Sequence, residues 1–350
     1  MQEISLLELN QEQLGELVAS LGEPAYRASQ IYGWLYKSLA TDFSQMTNLP
    51  KILREELAQR AYIRTLRPLE EVVSSSGLTK KLLFELRDGE TIESVLMLYR
   101  RRQTVCVSTQ VGCAIGCPFC ATGQTGFIRN LSAGEILEQV LHFARFLREE
   151  GEQLTNVVFM GMGEPLANYD ATWQAIERLN DPAGFGLGSR HITLSTVGII
   201  PGIERLSQET IPIRLAISLH SPDNSLRDRL VPINRKYPLE DLMRACRNYV
   251  ERTKRRLTFE YVLIDGINDS PWHAQKLADL LEGLPCHINL IPLNPTPDLA
   301  FRPSPRRKIL AFQAELARSN IPYTFRLGRG LDIRAGCGQL RGKPKNPKGA

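Results

Sequence analysis

The sequence predicts an α/β chain built around an open, partial (β/α)6 barrel, preceded by a small helical domain and a short antiparallel extension. Three observations lead there. After Val111, five apolar, β-branched-rich runs of strand length alternate with segments of helical period. These runs are near-continuous in apolar character, as parallel strands buried on both faces are. With the strand before the cysteine-rich loop they make about six units, short of the roughly eight that close a barrel.

The first sixty or so residues read as helices. EPAYRASQIYGWLYKSL sets Ala25, Ile31, Leu35 and Leu39 near the 3.6-residue period, and NLPKILREELAQRAYI follows a turn-like Thr47-Asn48. Residues 79–110 then hold three β-like runs, with Asp88-Gly89 as the hairpin signal between the first two. Beyond them TNVVFMGM, HITLSTVG, IRLAISLHS, LTFEYVLI and HINLIPLN are the core strands. The first core helix opens on a capping box at Ser132 and Glu135, and its apolar face is Ile136, Leu137, Val140, Leu141, Ala144 and Leu147. The expected boundaries are 1–75 for the helical domain, 76–98 for the extension, 99–331 for the barrel and 332–350 for a C-terminal loop with a basic tail.

Composition narrows the class. Of 350 residues 43% are apolar and 7% aromatic, ordinary for a globular chain and unlike disorder or coiled coil. No apolar run approaches the roughly 20 residues of a membrane span, and MQEISLLELNQEQ is acidic where a signal peptide is basic, so a cytoplasmic location without membrane contact is expected. Seven cysteines, an odd number, then favour metal or redox chemistry over a disulfide framework. The net charge of +5 is grouped: Arg100 to Arg102; Arg252, Lys254, Arg255 and Arg256; Arg302, Arg306, Arg307 and Lys308; and the tail RGKPKNPKG. One such block is ordinary solvated surface; four together point to a polyanion such as RNA or DNA.

In CVSTQVGCAIGCPFC, Cys113, Cys117 and Cys120 have the spacing C-x3-C-x2-C and Cys106 lies upstream in a β-like run. Three thiolates on a short loop can hold three corners of a cubane iron-sulfur cluster and leave one iron open. A closed zinc site needs four ligands, usually as two separated pairs, and no second C-x2-C is present. Parallel α/β folds place ligands at the C-terminal ends of strands. The residues just after the apolar runs are these three cysteines, Gly163 and Glu164, Ser195, His220, Asp265 and Asn294, expected around one cavity.

The cysteine pattern resembles the radical S-adenosylmethionine superfamily, and the match implies a [4Fe-4S] cluster on Cys113, Cys117 and Cys120. It further implies S-adenosylmethionine contacts at Gly163, Glu164, Ser195, Ser218, Leu219, His220 and Asn294. VCVSTQVGC, GMGEPL, TLSTVG, SLHSP, IPLNP and RGLDIRAGCGQL extend the resemblance over nearly the whole chain to the RlmN and Cfr group, which methylates an adenine of ribosomal and transfer RNA. What that implies here is carbon-2 methylation of 23S ribosomal RNA and of transfer RNA next to the anticodon, with carbon 8 as the rival. Two S-adenosylmethionine molecules are used per turnover; Cys337 carries the methyl group and becomes crosslinked to the RNA. Glu93 takes the ring proton, with Glu90 as the fallback, and Cys106 resolves the crosslink by forming a disulfide with Cys337. The helical N-terminal domain is expected to bind RNA, a flavodoxin or ferredoxin to supply the electron, and the enzyme to act as a monomer. Cys246 and Cys286 match no motif and read as packed thiols. Gly336 and Val197 depart from the group, where alanine and serine are frequent, without removing a functional side chain. Another radical enzyme would need no Cys337, and a non-catalytic RNA-binding protein would not cleave S-adenosylmethionine.

Overall fold

The computed structural model describes residues 3–296, 299–326 and 328–343; the end of the basic tail, 344–350, lies outside the described residues. At the N-terminus β1 (Ile4–Ser5) pairs in parallel with β2 (Ala61–Tyr62), bracketing α1 (Gln11–Ser20), α2 (Tyr26–Tyr36) and α3 (Lys51–Arg60). A reciprocal cap starts α1: Asn10 Oδ1 accepts the Gln13 N–H at 2.8 Å, and Gln13 Oε1 accepts the Asn10 N–H at 2.9 Å. Ile31, Leu35, Leu53 and Leu57 are buried in a core continuous with that of the rest of the chain. The module is therefore packed onto the barrel rather than tethered to it.

Next come β3 (Leu66–Val73), β4 (Thr79–Leu86) and β5 (Thr91–Tyr99), antiparallel, with Gly89 at φ +83° in the turn after β4 as the Asp88-Gly89 pair predicts. This extension starts at Leu66, upstream of residue 76. Arg67 to Glu71 are all exposed and a proline-associated irregularity interrupts the pairing, so LRPLEEVV carries no alternation to announce a strand.

Strand β6 (Arg102–Cys106) pairs antiparallel with β5 and parallel with β9 (Asn156–Phe159), joining extension and barrel into one ten-stranded sheet. Between them a small hairpin of β7 (Gln110–Gly112) and β8 (Phe127–Asn130) encloses the cysteine loop and the short α4 (Ala121–Gln124). Helix α5 (Ala133–Glu149) follows with the predicted cap, Glu135 N–H to Ser132 Oγ at 3.2 Å and Ser132 N–H to Glu135 Oε2 at 2.9 Å. The remaining units are α6 (Tyr169–Asn180), β10 (Ile192–Thr196), α7 (Ile200–Leu206), β11 (Arg214–Ser218), α8 (Asn224–Leu230), α9 (Leu239–Thr253), β12 (Leu257–Leu263), α10 (Pro271–Leu281), β13 (Cys286–Pro292), α11 (Arg306–Arg318) and β14 (Tyr323–Phe325). From β6 to β14 neighbouring strands are parallel, an open (β/α)6 barrel with a seventh strand at its edge.

Buried Arg178 on α6 donates to the Leu7 and Glu8 carbonyls, and Glu8 Oε1 accepts the Gly134 N–H at 2.9 Å, locking the N-terminal module against α5 and α6. The basic blocks divide between the two ends of the barrel. Arg100 to Arg102 lead into β6 and Arg252 to Arg256 into β12, at the N-terminal end of the sheet, whereas Arg302 and Arg306 to Lys308 follow β13 at the other. Among the described residues no helix is long and apolar enough to cross a membrane.

Candidate active site

Cys113, Cys117 and Cys120 sit on the loop inside the β7–β8 hairpin, at the C-terminal mouth of the barrel. Gly112 makes that loop possible: at φ +73° it takes a left-handed turn, and a Cβ there would stand 1.8 Å from the Gly126 oxygen. The same oxygen accepts the Cys113 N–H at 2.8 Å. The three cysteines line one cavity together with Gly163, Glu164, Ser195, Ser218, His220, Glu260 and Cys337. Burial pushes the Cys113 thiol up to about 12 and Cys117 well above its ordinary range, and each thiol also feels the charge of its neighbours. Such sulfurs are poor free thiolates, but binding to iron offsets the cost of the charge. Among the described residues no three of His, Cys, Asp or Glu converge as ligands of a single ion. Three sulfurs spaced C-x3-C-x2-C around one shared space fit a multi-iron cluster.

The strand ends supply the rest of the wall. Gly163, at φ +97°, presses against Gln110, where a Cβ would come within 2.5 Å of the Gln110 Cβ. Gln110 Oε1 in turn accepts the Glu164 N–H at 2.9 Å. The buried Glu164 carboxylate accepts the Leu166 N–H at 3.0 Å and the Val197 N–H at 2.8 Å, tying the loops after β9 and β10; burial raises it to about 7 against those bonds. Ser195 and Ser218 face each other across β10 and β11, Oγ to Oγ 3.3 Å. His220, at φ +60°, packs edge-on against Phe119 at 5.2 Å, and its Nδ1 accepts the Val262 N–H at 3.2 Å. Burial lowers it to about 3, so the ring is neutral and offers Nε2 for hydrogen bonding.

Not every expected residue is on this wall. Leu219 is fully buried, its N–H bonded to the Glu260 oxygen at 3.0 Å. Asp265 is paired with Lys308 at 2.8 Å. Asn294 lines a second, adjoining cavity, which also holds Cys106 on β6, and its Nδ2 donates to the Cys337 oxygen at 3.0 Å. Cys337 lines both cavities. It is solvent-accessible, yet the space it faces is enclosed by protein, and burial holds its thiol above the ordinary range. The same effect raises Cys106, to which the Cys337 sulfur is electrostatically coupled. Cys246 and Cys286 are buried in the core.

Glu93 opens onto a third space, a cleft at the mouth beside the hairpin. It lies on β5 two residues from Val95, the pairing partner of Cys106, so both side chains stand on the inner face. Its carboxylate bonds Lys81 Nζ at 2.9 Å and the Arg341 N–H at 2.9 Å. Glu90 and Lys343 line the same cleft. The C-terminal segment thus crosses the barrel mouth from Gly336 to Lys343, and Gly338 contributes its carbonyl to the Ala121 N–H at 2.7 Å.

Glu260 and Lys81 escaped the sequence reading. A glutamate inside the apolar run LTFEYVLI was the available signal: it is buried, accepts the Asn289 Nδ2–H at 2.8 Å, and burial raises its carboxyl. Lys81, in a strand with no motif, had none.

Two family models match the chain: "Radical SAM superfamily" over residues 107–278 and "Ribosomal RNA large subunit methyltransferase N-terminal domain" over residues 4–63. A relative from Chloroflexus aurantiacus, described as a "Probable dual-specificity RNA methyltransferase RlmN", is 50% identical over 99% of this chain and 95% of its own length. One from Nitrosopumilus maritimus, a "Ribosomal RNA large subunit methyltransferase N", is 48% identical over 96% of this chain and 98% of its own. The crystal structure of a radical SAM methyltransferase from Sphaerobacter thermophilus superposes with a TM-score of 0.95 at 52% identity, covering 97% of this chain and 99% of that one.

Proposed function

The chain belongs to the RlmN family of radical SAM RNA methyltransferases, and from that premise we propose that it methylates carbon 2 of an adenine in 23S ribosomal RNA and in transfer RNA, using Cys337 as the methyl carrier. The family brings a [4Fe-4S] cluster and S-adenosylmethionine as cofactors. When bound, they supply an ordinary methyl donor and a one-electron route to carbon radical chemistry.

The observation that carries the reading is the position of Cys337, shared by the cysteine cavity and the cavity of Cys106. Its sulfur lines the cavity where S-adenosylmethionine would bind on one side and the cavity of the resolving thiol on the other. Cys113, Cys117 and Cys120 hold the cluster. Gly163, Glu164, Ser195, Ser218 and His220 orient S-adenosylmethionine, and Leu219 fixes the strand end between Ser218 and His220 through its N–H bond to the Glu260 oxygen. Asn294 holds the Cys337 carbonyl in place. Glu93, fixed by Lys81 and by the backbone of the C-terminal segment, takes the ring proton. The Cys106 thiolate attacks the Cys337 sulfur and releases the methylated base as the disulfide forms. The N-terminal module, which ends before β3 at Leu66, contributes RNA binding, residues 99–331 the radical chemistry and residues 332–350 the methyl carrier; a flavodoxin or ferredoxin supplies the electron to a monomeric, cytoplasmic enzyme.

The test uses reduced holoenzyme with labelled S-adenosylmethionine on ribosomal and transfer RNA fragments, followed by nucleoside analysis. Label in 2-methyladenosine is expected; 8-methyladenosine alone overturns the carbon-2 assignment. Cys106→Ala protein accumulates the RNA crosslink, and normal turnover by that variant overturns the division of the cysteines.

A further inference from the structure

We propose that the cavity of Cys106 is an entrance, open at the N-terminal end of the barrel, for a small anionic thiol gathered by Arg102 and Arg214 at that end and by Arg326 further along the wall, which reduces the Cys106–Cys337 disulfide after each turnover. The proposal rests on the reading of these two cysteines as the pair oxidised during release.

The cavity holding Cys106 runs away from the cluster loop. Its wall includes Arg102, Asn156 and Arg214, the first residues of β6, β9 and β11, so it opens at the end of the sheet opposite the cysteine loop. Cys106 lines this cavity and not the one around the cluster. Arg102 and Arg214 are exposed at the opening and Arg326, which follows β14, is exposed further along the same wall; among the described residues none of the three has a carboxylate within ion-pair distance. The fourth arginine there is engaged by the fold: Arg329 donates to the Leu98 oxygen at 2.9 Å and covers the Tyr99 ring, which Arg102 flanks at 4.4 Å. Arg102 and Arg214 are therefore left without a carboxylate partner among the described residues around a channel that ends at two thiols, while the charge of Arg326 is shared with buried Glu260.

Two features point inward to a ligand. Asn294 is 5% exposed and lines the channel, yet among the described residues its Oδ1 has no donor. It is an acceptor awaiting an S–H or N–H group. The charge of Arg326 also reaches Cys337, favouring its thiolate against burial and against Glu260.

The chemistry balances with two thiols. One thiolate attacks Cys106 Sγ, breaking the disulfide and expelling the Cys337 thiolate, whose charge Arg326 stabilises. A second thiolate attacks the resulting mixed disulfide, releasing the oxidised small disulfide and the Cys106 thiolate. Two electrons pass to the protein and both protein sulfurs take up protons from water. Positive charge in a partly enclosed mouth raises the local concentration of an anion by about 10-fold or more.

The test takes holoenzyme oxidised by a single turnover and follows thiol recovery with 2-mercaptoethanesulfonate, 2-mercaptoethanol and cysteamine, each normalised to its rate on a small neutral disulfide. The anionic thiol is expected to lead the neutral one by about 10-fold, the cationic one to trail, and the lead to vanish in high salt and in the Arg102→Gln/Arg214→Gln/Arg326→Gln variant. Equal normalised rates, or a lead that survives the triple substitution, overturn the proposal. Alkylation of Cys106 in reduced holoenzyme by iodoacetate and iodoacetamide needs no disulfide and separates the two failures. If a turnover leaves no disulfide, the pairing of the cysteines is overturned and with it the thiol's role. A preference for iodoacetate then still upholds the basic entrance, and its absence overturns that as well.

Discussion

Gly112→Ala is the substitution that tests how the cluster loop is built. A Cβ at residue 112 meets two separate penalties. The backbone there has φ +73°, where a side chain costs about 1–2 kcal/mol. The new carbon also stands 1.8 Å from the Gly126 oxygen, so the hairpin must part by more than an ångström, and the Cys113 N–H loses its 2.8 Å bond to that oxygen at a cost of about 1 kcal/mol. Together these come to about 3 kcal/mol on a loop whose sheet has only two strands, or about two powers of ten in its closed population. Gly126→Ala is the control. Its φ is +74° but nothing lies within 4 Å of the added carbon, so only the conformational penalty applies, about tenfold. After anaerobic reconstitution the two variants are compared by iron per chain and by the rate of iron loss to a chelator. Gly112→Ala is expected to lose iron about tenfold faster than Gly126→Ala. Equal rates would refute the claim that the contact with Gly126 shapes the cluster loop.

Three further outcomes follow from the geometry. Glu93→Gln should slow release of the RNA crosslink by about 10²-fold or more while leaving S-adenosylmethionine cleavage intact; wild-type release in a single-turnover experiment would exclude Glu93 as the proton acceptor. His142 on α5 packs edge-on against Phe84 at 5.1 Å, and burial lowers it from 6.5 to about 4. The neutral ring therefore contributes stability that is present above pH 6.5 and lost as pH falls toward 4, about 2 kcal/mol after allowing for partial exposure. The stability gap between wild type and His142→Gln should shrink over that window in urea titrations, and a constant gap would contradict the assignment. Arg178→Met removes the buried guanidinium that holds the Leu7 and Glu8 carbonyls, costing about 3 kcal/mol. Hydrogen exchange in α1 should accelerate, and unchanged protection would show that other contacts anchor the module.

The barrel was legible because its strands are buried on both faces. TNVVFMGM, HITLSTVG, IRLAISLHS, LTFEYVLI and HINLIPLN contain β9 to β13, and the Ser132 capping box starts α5. Two strands of the ten-stranded sheet were not legible, for different reasons. β3 is exposed along most of its length, and β14 has only three residues, too few for a pattern. The division of the basic blocks between opposite ends of the sheet was equally invisible, since charge in a sequence carries no information about which end of a strand it borders.

At the site, the strand-end rule gathered the cysteine loop, Gly163, Glu164, Ser195 and His220 around one cavity, because in a parallel sheet chain direction alone decides which end a residue occupies. It had no purchase on the C-terminal segment, which belongs to no strand. What seats Cys337 is a set of hydrogen bonds to that segment: Asn294 to the Cys337 oxygen, Ala121 to the Gly338 oxygen, Gln339 to the Pro295 oxygen and Glu93 to the Arg341 N–H. Gly336 belongs to the same seat, since a Cβ there would stand 2.5 Å from Asn294 Nδ2. The departure from alanine at 336 therefore bears on how closely this segment approaches the barrel, a consequence that motif comparison alone did not disclose. Glu93 and Cys337 are held by the same strap, so a perturbation of one is expected to reach the other through its backbone rather than through direct contact.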